Sequence, residues 1–151
     1  MYNTNGQATA ANSSPVVLAS DQSAIPVSPS ALNANTAALI TAVAATTEQT
    51  SPTQTNTIYR GCIVVLDVTA IDATGSIVLT IEAQDAASTK WHPLVTSAAV
   101  TTVSTVRYQV YPSSTVGAAN YNGPLPVTWR VRVTPINGVA ITYKVGASLQ
   151  G

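Results

Sequence analysis

The sequence predicts an all-β protein: an antiparallel β-sandwich, jelly-roll or immunoglobulin-like, preceded by an extended N-terminal arm. Three observations carry this expectation. Val, Ile, Leu, Ala and Thr dominate while Phe is absent and Met occurs only at position 1, and β-branched side chains suit a pleated sheet. Several short stretches alternate apolar and polar residues between turn signals. One segment, residues 14–27, is apolar and bracketed by Pro15 and Pro26, which fix φ and push their predecessors toward extended geometry.

The arm comes first. Pro15, Val16, Val17, Leu18, Ile25, Pro26 and Val27 surround a single charge, Asp21. Water is a poor environment for such a segment, so it needs a surface to lie on, within the chain or on another subunit. Residues 31–47 follow with the pattern of one short helix. Ser30 or Asn35 could cap its start, and Leu32, Leu39 and Val43 fall near one face. The β-branched Thr36, Thr41, Val43, Thr46 and Thr47 oppose it. Ser, Thr, Gln, Asn and Pro52 cluster over residues 50–57, which sets the expected division: 1–57 as arm and connector, 58–151 as the sandwich.

Within the second part, Val64, Leu66, Val68 and Ala70 form one face of a strand, and Ile77, Leu79, Ile81 and Ala83 form one face of the next. A four-residue loop, Asp72-Ala73-Thr74-Gly75, would pair them as a hairpin with Leu66 facing Ile81 and Val68 facing Leu79. The last two strands carry Val127, Trp129, Val131 and Val133, then Val139, Ile141, Tyr143 and Val145. All are odd positions, so a two-residue Asn137-Gly138 turn would set apolar against polar. A three-residue loop over residues 136–138, with Gly138 left-handed, restores the register and sets Trp129 opposite Val145. Weaker strands are expected at residues 56–60, 90–96 and 103–111. Residues 112–126 form a long loop rich in Ser, Ala, Asn, Gly and Pro, which suggests function or disorder.

Charged residues make up 8% of the chain, six basic and six acidic, against about 25% in ordinary domains. A surface so poor in charge is weakly protected against association, and it lacks the basic stripe that nucleic acid requires. No signal peptide and no membrane span are expected. Cys62 is the sole cysteine and His92 the sole histidine. A Cys62–His92 nucleophile pair is outweighed by a buried thiol and a surface imidazole. No ligand set suggests a metal or cofactor, and no catalytic residue is assigned. Asp72 reads as a turn opener.

Two surface features stand out. Arg130 and Arg132 project from one strand face, with Lys144 opposite Arg130 in the expected register; like charges there call for an acidic partner, Glu82 or Asp85 or a carboxylate on another chain. The outward face of the first hairpin mixes Ile63, Val65, Ile71 and Val78 with Asp67, Thr69 and Thr80, where a free face should be polar. Ile63, Val65, Val78, Arg130, Arg132 and Lys144 are therefore candidate interface residues beside the arm. Tyr111 and Tyr121 flank the long loop and suggest a sugar platform.

The segment Asn12-Ser13-Ser14-Pro15-Val16-Val17-Leu18-Ala19-Ser20-Asp21-Gln22-Ser23-Ala24-Ile25-Pro26-Val27 resembles one found in structural proteins of tailed-bacteriophage virions. The remainder is similar in style to small β-sandwich proteins of phage particles, through Ile81-Glu82-Ala83-Gln84-Asp85, Trp91, Trp129-Arg130-Val131 and Val145-Gly146-Ala147-Ser148-Leu149. The resemblance implies a non-enzymatic virion protein assembled in the host cytoplasm, first of all a capsid decoration or cement protein. Its partners would be the major capsid protein, other virion proteins and copies of itself, with no membrane or nucleic acid. A tail, neck or fibre component, or a carbohydrate-binding adhesin module, is the alternative.

Overall fold

The computed structural model describes residues 36–117 and 119–151, so the arm lies outside the described residues. These form strands β1 (Thr36–Ala45), β2 (Gln49–Thr50), β3 (Gln54–Thr55), β4 (Gly61–Ala70), β5 (Ser76–Gln84), β6 (Trp91–Thr96), β7 (Ser104–Val110), β8 (Asn120–Tyr121), β9 (Thr128–Ile136) and β10 (Ile141–Gln150), with no helix among them. Two sheets face each other. Sheet I has the order β1-β10-β4-β7-β8; sheet II has the order β2-β9-β5-β6, with β3 also pairing β9. All neighbours are antiparallel except β7 and β8. The protein is the expected β-sandwich.

Alternation builds the core. Val64, Leu66 and Val68 of β4 and Tyr143 and Val145 of β10 point inward from sheet I; Leu79, Ile81, Trp129, Val131 and Val133 meet them from sheet II, and all are buried. Each Val, Leu or Ile so buried contributes about 1.5–3 kcal/mol relative to exposure. Trp129 Nε1 and Tyr143 Oη are buried with no hydrogen-bond partner among the described residues, and burial pushes the Tyr143 phenol up to about 12.

The expected faces are correct except at their ends, where Ala70 and Val127 are exposed and Val139 lies outside the strands; two expected pairings are not correct. β4 pairs with β10 and β7, whereas β5 pairs with β9 and β6. Residues 71–75 therefore carry the chain from one sheet to the other rather than closing a hairpin. The same holds for β9 and β10, joined across the sandwich by residues 137–140. Gly138 is left-handed as expected (φ 64°), and so is Asn137 (φ 70°). Apolar alternation points the same residues inward whether two strands are neighbours or stand on opposite walls, so register parity had no bearing here. The two crossings touch where Asn137 Nδ2 donates to the Thr74 carbonyl at 3.1 Å.

The helix expected over residues 31–47 is instead β1 from Thr36 onward. Its register against β10 slips between Ala38 and Ile40 and again between Ala42 and Ala45, and Ala44 has φ 53°. These bulges let Leu39 and Ile40, adjacent in sequence, both be buried. They also erase the two-residue period by which a strand is recognised. Because β1, β2 and β3 precede residue 58, the folded unit reaches back at least to Thr36. Residues 56–60 are not a strand but a turn organised by Asn56. Its buried amide donates to the carbonyls of Tyr59 (2.8 Å) and Leu125 (3.0 Å) and accepts from the Tyr59 amide (2.9 Å).

Gly61 opens β4 beneath Tyr111, whose ring occupies the space a Cβ would take; that Cβ would also meet the Val110 carbonyl oxygen. Gly61→Ala should therefore force the ring and the β4–β7 ladder apart, lowering stability by about 2 kcal/mol in urea unfolding. A variant as stable as the parent would show that the ring swings aside freely.

Candidate functional site

The two outer faces differ in chemistry. On sheet I, the register sets Ala38, Gly146, Val65 and Arg107 in one row across four strands. Alanine and glycine leave this row low. A depression of about 350 Å³ forms over it, lined by Thr36, Ala38, Val65, Gly146 and Ser148. A Cβ on Gly146 would find nothing nearer than the Ala37 carbonyl oxygen at 3.7 Å, so the space is real rather than filled from below. The depression adjoins β1, the edge strand that residues 1–35 lead into at Thr36.

Ile63 and Lys144 lie on the same face, one row to either side. Ile63 sits between Ser148 and Gln109, and Lys144 sits beside Asp67. Lys144 is therefore not opposite Arg130, as the hairpin register expected; its cross-strand neighbour is acidic. Thr105 Oγ1 donates to Asp67 Oδ1 at 2.8 Å. Around the depression this outer surface is rich in hydroxyl and small side chains, with Asp67, Lys144 and Arg107 beyond its lining.

Sheet II carries Val78, Arg130 and Arg132 on the other side of the molecule. The six candidate interface residues thus divide between opposite faces, three on each, and do not form one patch. Of the acidic partners expected, Glu82 is the one Arg130 and Arg132 meet, although the Lys144 pairing from which an acid was expected is absent. Glu82, directly opposite Arg130, accepts from Arg130 Nε at Oε2 and from Arg132 Nε at Oε1, both at 2.8 Å. The Glu82 side chain is 6% exposed while the two arginines are a quarter to a third exposed. Arg132 Nη1 also donates to Glu48 Oε2 at 3.0 Å, and the Arg130 guanidinium lies 4.1 Å from the centre of the Trp91 ring. The bond from Arg132 holds the Glu48 carboxyl below its ordinary range, and Glu48 in turn raises Arg132. The chain Glu48–Arg132–Glu82–Arg130–Trp91 ties β9 to β5, to β6 and to the start of β2. Its charges are spent on one another.

Cys62 is fully buried in β4, and desolvation pushes its thiol up to about 12. His92 is exposed on β6 of the other sheet. The two are not a nucleophile–base pair. Among the described residues no group of three or more His, Cys, Asp or Glu could hold a metal ion, and no helix is long and apolar enough to cross a membrane. Asp72 opens a turn, its carbonyl accepting from the Gly75 amide at 2.9 Å. The tyrosines flanking the long loop separate: Tyr121 packs against the core beside Val110, whereas Tyr111 lies over Gly61.

Comparison with known proteins found no matching family, no matching curated protein and no matching solved structure.

Replacing Glu82 by Gln should leave Arg130 without a counter-charge and Arg132 with Glu48 alone, and cost about 2 kcal/mol, read as a shift in the urea midpoint. Salt should reduce the loss, because the guanidinium groups are part-exposed; a neutral outcome would mean that the arginines are served equally well by water. Glu48 sets a weaker pH dependence. Its folded carboxyl titrates below the ordinary value of 4.5, so its contribution is fully present above that value and disappears as pH falls through the lowered one. The Glu48→Gln variant should lack this component of the acid-side decline, and salt should shrink it in the parent.

Proposed function

We propose that this chain is a structural component of a tailed-phage virion, and within that class a capsid decoration or cement protein. Its N-terminal arm and the outer face of sheet I would make the attachment. The observation that carries the reading is the position of β1. The strand that follows the apolar, nearly charge-free arm is an edge strand, and it borders a low, neutral depression on sheet I. An arm leaving from a sheet edge can add to a neighbour's sheet, where main-chain hydrogen bonds supply affinity and alternate side chains fill pockets. Symmetry repeats such contacts around a shell, so individually weak attachments sum to a stable coat.

Charge supports the same reading. The arm bears only Asp21, sheet I is neutral over its depression, and the arginines of sheet II are already paired within the chain. Attachment would therefore rest on burial and shape rather than on ion pairs. It should be insensitive to salt.

Removing residues 1–28 tests the proposal, since β1 begins only at Thr36. The truncated protein should keep its circular dichroism and unfolding midpoint while losing incorporation into particles. Undiminished occupancy by the truncated chain would remove the arm as the anchor. Electron microscopy of labelled particles should place the full chain on the shell; label on the tail or neck would reassign it within the virion.

A further inference from the structure

We propose that the outer face of sheet I, where β7 meets β8, binds a neutral saccharide. This goes beyond the virion reading and stands without it.

A depression of about 410 Å³ lies here, bounded by Gln109, Tyr111, Ser113, Ser114, Thr115 and Asn120, within the range of about 300–1,000 Å³ of small-molecule sites. Its floor is built by register. The parallel bridge of β7 and β8 sets Gln109 beside Asn120, so two carboxamides stand next to each other on the solvent side. Arg107 Nη2 donates to Gln109 Oε1 at 3.1 Å, which occupies that carbonyl and leaves the Gln109 Nε2 donors turned to other partners. The Asn120 side chain has no hydrogen bond among the described residues, so it offers both a donor and an acceptor.

Tyr111 bounds one side. Its ring runs over Gly61 of β4 and its hydroxyl donates to the Gly151 carbonyl at 3.3 Å, so an aromatic side chain held in one place borders the depression, of the kind that packs on the apolar face of a pyranose. The opposite wall is the turn over residues 112–115. Ser113 adopts φ 71° and its amide donates to Asn122 Oδ1 at 2.8 Å; the Ser114 amide donates to the Tyr111 carbonyl at 3.2 Å. Ser114 Oγ is buried with no partner among the described residues. A hydroxyl desolvated and left unpaired is costly.

These groups select the ligand class. Amides and hydroxyls both donate and accept, as sugar hydroxyls do. No charged side chain lines the depression; Arg107, hydrogen-bonded to the neutral Gln109 carboxamide, keeps its charge outside the lining. A phosphate, sulfate or carboxylate would find no cation among the lining residues, and an apolar ligand would strand the carboxamides.

The test uses the purified full chain on an array carrying neutral, sialylated and sulfated glycans. Free glucose, galactose, mannose and N-acetylglucosamine are then titrated by amide NMR. Neutral glycans should bind, with shifts confined to the amides of residues 109–115 and 120. Asn120→Ala and Gln109→Ala should each weaken binding by about tenfold while the unfolding midpoint stays unchanged. Silence on the array together with unmoved amides would overturn the proposal. So would binding that survives both substitutions, or a response limited to sialylated or sulfated glycans. Tyr111→Phe supplies a second check: it removes the bond to Gly151 but keeps the ring, so binding should weaken without being lost.

Discussion

Mutual burial of the two inner faces is the constraint on which the rest of this fold depends. The chain crosses between sheets after β1, β3, β4, β6, β8 and β9, so strands consecutive in sequence mostly stand on opposite walls. Among the described residues, β5 and β6 are the one pair of consecutive strands that hydrogen-bond as an antiparallel hairpin. Neither sheet can form from a continuous piece of chain. Each wall is assembled from distant segments whose apolar sides are covered only when the other wall is in place. Cys62, Tyr143 and Trp129 are buried for that reason, and neither β4 nor β10 is stable alone.

Such wiring leaves many backbone groups near crossings, where the ladders stop, and small polar side chains complete them. Ser51 interrupts the pairing of β2 and β3 with β9, yet its amide donates to the Val131 carbonyl and its hydroxyl accepts from the Val131 amide. Ser97 repeats the device beyond β6, with its amide on the Leu79 carbonyl and its hydroxyl on the Leu79 amide. Asn56 performs the same service for the turn into β4. These residues are buried although polar, and each is satisfied by backbone, as buried polar groups must be. Glu82 extends the principle to charge: its desolvation is offset because both oxygens accept from arginine.

What was legible in the sequence follows from the same physics. Alternation identified which side of β4, β5, β9 and β10 faces inward, because burial alone fixes that. It could not identify partners, since Leu66 and Ile81 are inward whether adjacent or opposed. The electrostatic expectation reached a correct partner by an incorrect pairing: a carboxylate was expected because Lys144 was set opposite Arg130, whereas Lys144 lies beside Asp67 and Glu82 on β5 is the neighbour of Arg130. β1 escaped notice because its bulges bury consecutive residues, and its alanine-rich segment imitates a helical face. Tyr111 and Tyr121 look equivalent at the ends of the long loop, but the parallel bridge of β7 and β8 puts one beside the core and the other over Gly61. No spacing rule distinguishes them.

The outer faces then divide the work by chemistry. Sheet II is closed electrostatically, its arginines satisfied by Glu82 and Glu48 and capped by Trp91. Sheet I carries two depressions with uncharged linings at opposite margins: the low row beside β1, and the carboxamide floor beside β8. Four strand spacings separate those edges, about 19 Å. A contact made along β1 covers the first and leaves the second, with its Tyr111 platform, facing outward. One sheet can therefore hold an attachment at one margin and a recognition site at the other, because its central strands, β10, β4 and β7, stand between the two.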